Sequence, residues 1–171
     1  MAQRAPEAAT VAAVTGAEGA RLLIIEARFY EAIADSLAAG AVAAIEAAGA
    51  TCERIAVPGA LEIPQALLAC CRAGKAGTAA RTAGRFDGAI ALGCVIRGET
   101  SHYDIVCNTA NHWLMQVATT HGVPVGNGIL TVENDAQAWA RAAAGPGNKG
   151  ADAARACLAL IALSRQLAAG A

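Results

Sequence analysis

The stretch from Phe86 to Ile96 is apolar at every position except Asp87. A strand with one face in the core alternates polar and apolar residues, whereas a strand inside a parallel sheet is covered on both faces and stays apolar throughout. The stretch is therefore predicted to be a parallel strand with helices packed on both sides. Because parallel strands need long crossover connections, this feature also predicts a chain in which strands and helices alternate.

Three further strand-like stretches fit the same scheme, and helical spacing of apolar residues fills the segments between them. The predicted strands cover 22–25, 51–57, 86–96 and 125–132, and the predicted helices cover 30–48, about 61–69, 102–121, 135–144 and 150–167. This order predicts an α/β fold, a three-layer αβα sandwich with a four-stranded parallel sheet of the flavodoxin-like class. Ligands of such sheets bind at the carboxyl ends of the strands.

One domain accounts for the whole pattern. Residues 21–171 are predicted to form a single α/β domain, and residues 1–20 a disordered tail in which Arg4, Glu7 and Glu18 interrupt a run of small residues. The glycine-punctuated segment 74–84 has no periodicity and is predicted to be a surface loop.

The charged residues argue against several classes of partner. Lys and Arg number 13 against 14 Asp and Glu, a net charge of −1, and no basic block is present, so nucleic acid is not an expected partner. The segment from Ile105 to Val132 lacks charged residues, but its Asn, Gln, Thr and His side chains do not suit a membrane helix. We expect no membrane association. The lack of a leucine-rich signal segment near the amino terminus favours a cytoplasmic protein.

The cysteines point to neither a metal nor a disulfide framework. They include no Cys-x-x-Cys pair and no histidine spacing that would complete a zinc site, so no metal is expected and the thiols are interpreted as reduced. The segment from Glu26 to Tyr30, after the first strand, contains no glycine. It therefore lacks both the dinucleotide-binding fingerprint and the phosphate loop of nucleoside triphosphatases, and no cofactor is expected.

An anion site is predicted after the third strand. The segment from Arg97 to His102 combines a glycine, two hydroxyl groups and the start of a helix, where free backbone amides can hold a phosphate. The alternative is that Thr100 or Ser101 only caps the helix. His102 occupies the strand-to-helix turn, and imidazoles ordinarily titrate close to neutral pH, which suits proton transfer. The alternative is a solvated or capping histidine.

Two other residues are candidates for binding a ligand. Glu62 lies between Pro58 and Pro64 at the start of the second helix, where its carboxylate could bind hydroxyl groups or could compensate the helix dipole. Phe29 follows the first strand directly, where it could stack on a planar ligand or could pack against the following helix as a staple.

Several of these segments share a family pattern. The two most specific are Val57 to Pro64 and Ala91 to Asp104, joined in family order by 27–30, 128–134 and 148–150. With them, the chain resembles the 6,7-dimethyl-8-ribityllumazine synthase family over roughly 22–167. The resemblance implies an enzyme of riboflavin biosynthesis that condenses 5-amino-6-(D-ribitylamino)uracil with 3,4-dihydroxy-2-butanone 4-phosphate, through an imine, loss of phosphate and ring closure.

The resemblance also implies roles for individual residues. Those implied to bind the pyrimidine substrate are Phe29, Ala60, Leu61, Glu62, Cys94, Val95, Ile96 and Asn127. Those implied to hold the phosphate are Gly98, Glu99, Thr100 and Ser101, with His102 as proton shuttle. A neighbouring subunit would add Arg141, oriented by Asp152, with Lys149 close by. Two positions depart from the common pattern, since many members have an aromatic residue at Asn127 and asparagine at Tyr30.

The partners implied are small-molecule substrates and further copies of the chain. Alanine supplies about half of the apolar residues, so a monomer buries little area per residue and is expected to be marginally stable. The last helix is apolar on two sides, with Leu158 and Ile161 on one and Leu160, Leu163 and Leu167 on the other. A homopentamer with sites between subunits is expected. The Gly145–Asn148 kink resembles that of family members that form 60-subunit shells.

Two other functions remain compatible with these residues. One is a weakly active or non-catalytic paralogue that binds a flavin-like ligand. The other is an unrelated enzyme of the flavodoxin-like class that converts phosphosugars, which the fold alone would permit.

Overall fold

A computed structural model of the chain describes residues 14–77 and 85–170. Strands and helices alternate in the predicted order within these residues. The elements are β1 (Arg21–Ala27), α1 (Glu31–Ala47), β2 (Thr51–Val57), α2 (Glu62–Arg72), β3 (Gly88–Ile96), α3 (His102–His121), β4 (Val125–Val132), α4 (Asp135–Ala142) and α5 (Lys149–Ala169).

The four strands form one parallel sheet in the order β2-β1-β3-β4. The two central strands are buried on both faces, β1 from Leu22 onward and β3 from Gly88 to Cys94. This confirms the prediction made from the apolar stretch that ends at Ile96. Strand β2 lies at an edge, and its side chains are accordingly more exposed.

Helices cover both faces of the sheet. Successive residues of β1 point to opposite sides, so that Leu22 and Ile24 join one core cluster while Leu23 and Ile25 join the other. The first cluster is completed by α1, α4 and α5, and the second by α2 and α3. The predicted three-layer α/β sandwich is therefore confirmed.

Helix α5 approaches its neighbours so closely that two positions admit only glycine. A Cβ atom at Gly150 would overlap with the backbone carbonyl of Leu37 in α1, and one at Gly126 would overlap with that of Ala153 in α5. The alanine-rich sequences of α1 and α5 therefore allow nearly direct backbone contact. This contact sets the position of the segment that joins α4 to α5.

Helix α4 is shorter than predicted. It ends at Ala142 instead of Ala144, because Ala143 adopts an extended conformation with φ −55° and ψ 149°. The carbonyls freed at this end are bound by a side chain from outside the helix, since Asn148 Nδ2 lies 2.6 Å from the Ala142 oxygen. A tertiary hydrogen bond thus replaces the last helical turn.

The predicted tail and loop fall partly outside the described residues. Residues 1–13 and 78–84 are in this category, so the disordered tail and the surface loop stay predictions there. Ala17 and Ala20 are buried in the first core cluster, and Arg165 of α5 donates hydrogen bonds to the carbonyls of Gly16 and Glu18. The packed part of the chain therefore begins before the predicted boundary at residue 21.

Candidate active site

A cavity of about 330 Å³ opens at the carboxyl ends of β1 and β3. From these neighbouring strands the connections lead to opposite edges of the sheet, β1 toward β2 and β3 toward β4. Such a switch point in strand order is where α/β sheets bind ligands. Its lining comprises Phe29, Tyr30, Gly59, Ala60, Leu61, Glu62, Cys94, Val95, Ile96, Gly98, Thr100, His102, Tyr103 and Val106.

Most of the residues predicted to bind substrate are thus brought together, from the segments that follow β1 and β2 and from the end of β3. Four lining residues, Tyr30, Gly59, Tyr103 and Val106, were not among the predicted site residues. Val106 lies one helical turn after His102 on α3, and the i, i+4 spacing could have identified it. Glu99 and Ser101 belong to the same turn as Thr100 but do not line the cavity.

Phe29 is held at the mouth of the cavity by the turn between β1 and α1. Its ring is 73% exposed and meets the ring of Tyr30 edge to face at 5.0 Å. The preceding residue, Arg28, anchors the turn: its N–H donates to the Val57 carbonyl and its guanidinium pairs with Asp35 at 2.9 Å. A staple would be buried against α1, so the exposed ring favours the alternative in which Phe29 stacks on a ligand.

The turn between β3 and α3 presents unused hydrogen-bond donors. Within the described chain, the N–H groups of residues 98–101 make no hydrogen bond. Ser101 is the N-cap residue of α3, but its hydroxyl accepts no capping hydrogen bond, and the Thr100 hydroxyl accepts only a 3.4 Å bond from the His102 N–H. The capping interpretation therefore explains little of this turn, and its amides remain available to an anion.

Glu62 lies where either of its predicted roles is possible. It lies in the first turn of α2, where a carboxylate compensates the helix dipole, and it also lines the cavity. Its carboxylate lies against Gly59, where an added Cβ would come within 3.1 Å of Glu62 Oε2. Gly59 therefore leaves room for this carboxylate at the cavity wall.

Among the described residues, no lysine or arginine lines the cavity to neutralise a phosphate dianion. Glu62 and His102 are its ionisable side chains apart from Cys94 and the two tyrosines, and no Lys or Arg of the described chain lines it. Arg97 lies beside the turn but is already paired with Asp104 and Glu133. A phosphate bound here would need positive charge from elsewhere.

The predicted phosphate-binding cations lie outside this cavity. Arg141 is in the last turn of α4 and donates to the Gln137 carbonyl at 2.9 Å. Asp152 pairs with Lys149 at 2.7 Å and with Arg155 at 3.0 Å, and the described residues contain no ion pair between Asp152 and Arg141. The expected orientation of Arg141 by Asp152 is thus not what the chain adopts. Arg155 was not identified from the sequence as a partner of Asp152, although the i, i+3 spacing of the two residues on a helix favours an ion pair.

Asn127 is also turned away from the cavity. Its side-chain amide donates to Asn111 Oδ1 at 2.6 Å and its carbonyl oxygen accepts from the Ile129 N–H, so both polar ends are engaged between β4 and α3. The predicted contact of Asn127 with substrate stays a prediction.

Burial keeps the cavity cysteine protonated. Desolvation, with a smaller contribution from Asp135, raises the pKa of Cys94 to about 11. The neutral thiol therefore contributes to folding stability below the ordinary thiol pKa of about 9, and this contribution is lost between about pH 9 and 11. At neutral pH Cys94 can line the ring of a ligand but is a weak nucleophile.

We expect Cys94 to react with iodoacetamide at pH 8 about 100-fold more slowly than an unhindered thiol, because its thiolate fraction is lower by about two decades. Peptide mass spectrometry of a time course checks this. Free N-acetylcysteine in the same reaction serves as the reference, because burial also raises the pKa of Cys107, although less than that of Cys94. Alkylation of Cys94 as fast as the free thiol would contradict the assignment.

The described residues contain no group of three or more His, Cys, Asp or Glu arranged to hold a metal ion. None of the helices in the described part of the chain has the length and apolar character needed to cross a membrane.

The amino-acid sequence was compared with protein families and with known proteins. A profile of the family described as 6,7-dimethyl-8-ribityllumazine synthase matches residues 19–165. The chain is 54% identical to the 6,7-dimethyl-8-ribityllumazine synthase of Azorhizobium caulinodans over 86% of the chain and 88% of that protein. It is 52% identical to 6,7-dimethyl-8-ribityllumazine synthase 1 of Rhodopseudomonas palustris, over 90% and 91% of the two chains. The chain therefore belongs to the 6,7-dimethyl-8-ribityllumazine synthase family.

Proposed function

We propose that the chain condenses 5-amino-6-(D-ribitylamino)uracil with 3,4-dihydroxy-2-butanone 4-phosphate to 6,7-dimethyl-8-ribityllumazine, with release of phosphate and water. One observation carries the proposal beyond the family name. A single cavity combines an exposed aromatic ring at Phe29, a carboxylate at Glu62, an imidazole at His102 and part of the turn with free amides, at Gly98 and Thr100. These are the groups needed to stack a pyrimidine, bind hydroxyls, move protons and hold a phosphate.

In this mechanism positioning supplies most of the rate. The pyrimidine stacks on Phe29, its ribityl hydroxyls bind around Glu62, and the amides of residues 98–101 hold the phosphate. The amine of the pyrimidine attacks the ketone, and loss of water gives an imine. Loss of a proton from the carbon that bears the hydroxyl group expels phosphate and leaves an enol, which tautomerises to a ketone. The second nitrogen attacks this ketone, and loss of another water closes the ring. His102 takes up and returns the protons that these steps require.

The proposal is tested by mixing the purified protein with both substrates and recording lumazine fluorescence. Product formation supports it. The alternative, a paralogue that only binds a flavin-like ligand, predicts that the protein binds added 6,7-dimethyl-8-ribityllumazine without forming it. We also propose a cytoplasmic location, which suits the presence of six unpaired thiols.

We further propose that the chain is a homopentamer, with each site completed by Arg141 and Lys149 of a neighbouring subunit. Two features support this. No Lys or Arg among the described residues lines the cavity, and Leu160, Leu163 and Leu167 leave one side of α5 apolar and exposed in a single chain. Cyclic closure of a head-to-tail interface would bring half of each site from the next subunit. The mass of the assembly in solution also distinguishes a pentamer from a 60-subunit shell.

We expect light scattering on the purified protein to give a mass of at least five times 17.1 kDa. A smaller mass would refute the pentamer. A mass near five times the chain mass would count against the shell, and one near sixty times would support it.

We expect Arg141→Ala to raise KM for the four-carbon phosphate about 10- to 100-fold, because a guanidinium donates paired, charge-assisted hydrogen bonds that alanine lacks. KM for the pyrimidine should change far less, and Arg141→Lys should restore only part of the affinity. Arg72→Ala is the matched control, since Arg72 occupies the last turn of α2 as Arg141 does in α4. A selective loss of pyrimidine affinity in Arg141→Ala would contradict the assignment.

A further inference from the structure

The first turn of α3 is held in place by a residue outside the helix. His102 is the first residue of α3, yet the N-cap Ser101 makes no side-chain capping hydrogen bond. The contacts that tie this turn to the sheet instead involve Arg97, which directly follows β3. The Arg97 N–H donates to the Val132 carbonyl at 2.9 Å and so joins the end of β3 to the end of β4.

The Arg97 guanidinium contacts three side chains at once. It forms a fork with Asp104, Nη2 to Oδ1 at 3.2 Å and Nη1 to Oδ2 at 3.3 Å, and its Nε donates to Glu133 at 2.9 Å. It also stacks on Tyr103, with its central carbon 4.0 Å from the ring centroid. Asp104 and Tyr103 are the residues that follow His102 on α3, and Tyr103 lines the cavity.

From these contacts we propose that Arg97 is a positioning residue for His102. Its planar, fork-shaped side chain fixes the rotation and depth of the first turn of α3 relative to the carboxyl ends of β3 and β4. The imidazole at the start of that turn is thereby aimed into the cavity. The inference rests on the proposed function, in which His102 moves protons.

If Arg97 only stabilised the fold, its removal would act mainly by lowering Tm. All the ion pairs of Arg97 are substantially exposed, and exposed pairs add little to global stability. Loss of the clamp, by which we mean the contacts of Arg97 with Asp104, Glu133 and Tyr103, should therefore leave the fold intact but let His102 shift. A shift of about 1 Å in a catalytic group costs up to about 100-fold in rate.

The test is a double-mutant cycle measured by lumazine formation. We expect Arg97→Gln to lower kcat about 10- to 100-fold, with KM for both substrates changed less than about threefold and Tm lowered by no more than about 4 °C. Arg97→Lys keeps the charge but not the fork or the stack, so it should restore little. In a His102→Ala background the same Arg97→Gln change should lower kcat less than about twofold, because the residue it acts through is absent.

Two further variants sharpen the result. Asp104→Asn keeps the shape of the fork but removes its charge, and should reproduce part of the loss in kcat. Arg85→Gln is the control, because Arg85 also pairs with a carboxylate, that of Asp87, but flanks the opposite end of β3. It should leave kcat unchanged.

Three results would overturn the inference. The first is an unchanged kcat in Arg97→Gln. The second is a loss of kcat on Arg97→Gln that is equally large in the unsubstituted protein and in the His102→Ala background. Full kcat in His102→Ala alone would instead refute the proton-transfer role in the proposed function, and the inference with it. The single His102 variant therefore separates the two failures.

Discussion

Replacing His102 with alanine is expected to lower kcat by about one to three orders of magnitude without abolishing it, because general acid–base catalysis contributes a bounded share of an enzymatic rate. The stacking surface at Phe29 and the amides of residues 98–101 lie on other elements and stay in place in the variant. Binding and orientation of both substrates should therefore continue, and KM should change little. The measurement is the steady-state rate of lumazine formation across pH 6 to 9.

The matched control is His112→Ala. His112 lies further along α3, is exposed, and meets the ring of Trp113 instead of the cavity. Its removal should leave kcat unchanged. A kcat of His102→Ala equal to that of the unsubstituted enzyme would exclude His102 from the mechanism.

The largest loss of stability is expected from Asn148→Ala. Asn148 is 2% exposed, and its amide nitrogen donates to the carbonyls of Ala142 at 2.6 Å and Ser36 at 3.1 Å. Its oxygen accepts from the Ala151 N–H at 2.9 Å and caps α5. Alanine would remove the cap, leave the Ala151 N–H without its acceptor and take one donor from each carbonyl, although the Ala142 carbonyl still accepts from the Ser36 hydroxyl. The free energy of unfolding should therefore fall by about 2–4 kcal/mol.

Urea unfolding at matched protein concentration measures this loss, because association adds to the apparent stability. Asn134→Ala is the comparison, since Asn134 caps α4 through the Gln137 N–H at the surface and its loss should cost only about 1 kcal/mol. If Asn148→Ala destabilises the protein no more than Asn134→Ala, the buried hydrogen bonds of Asn148 contribute less than the geometry implies.

Prediction from the sequence succeeded for features that depend on local pattern. The apolar stretch before Ile96 indicated a central parallel strand, and the structure places β3 at the centre of the sheet. The glycine and hydroxyl residues before His102 indicated a helix start, and α3 begins at His102. The cavity also gathers the residues expected after β1, β2 and β3, because parallel strands direct their carboxyl ends to one edge.

Prediction was weaker where a side chain chooses among distant partners. Asp152 pairs with Lys149 and Arg155, and not with Arg141 as expected. Several partners of opposite charge lay within reach along the sequence, and the selection depends on rotamers and backbone positions that no local pattern encodes. The same reason explains the early end of α4, where a residue beyond the helix binds its last carbonyls.

The sequence by itself determined the order of strands and helices, the all-parallel sheet and the loops that carry chemistry, since each follows from burial periodicity and from the short-range preferences of glycine, proline and capping residues. Only the tertiary structure decided how the loops are held. The clamp of Arg97 joins β3, β4 and α3, and Asn148 enters a space that exists because Gly40 has no side chain. Such contacts join residues far apart in the chain, and their energies depend on ångström-scale distances that arise only after the core has packed.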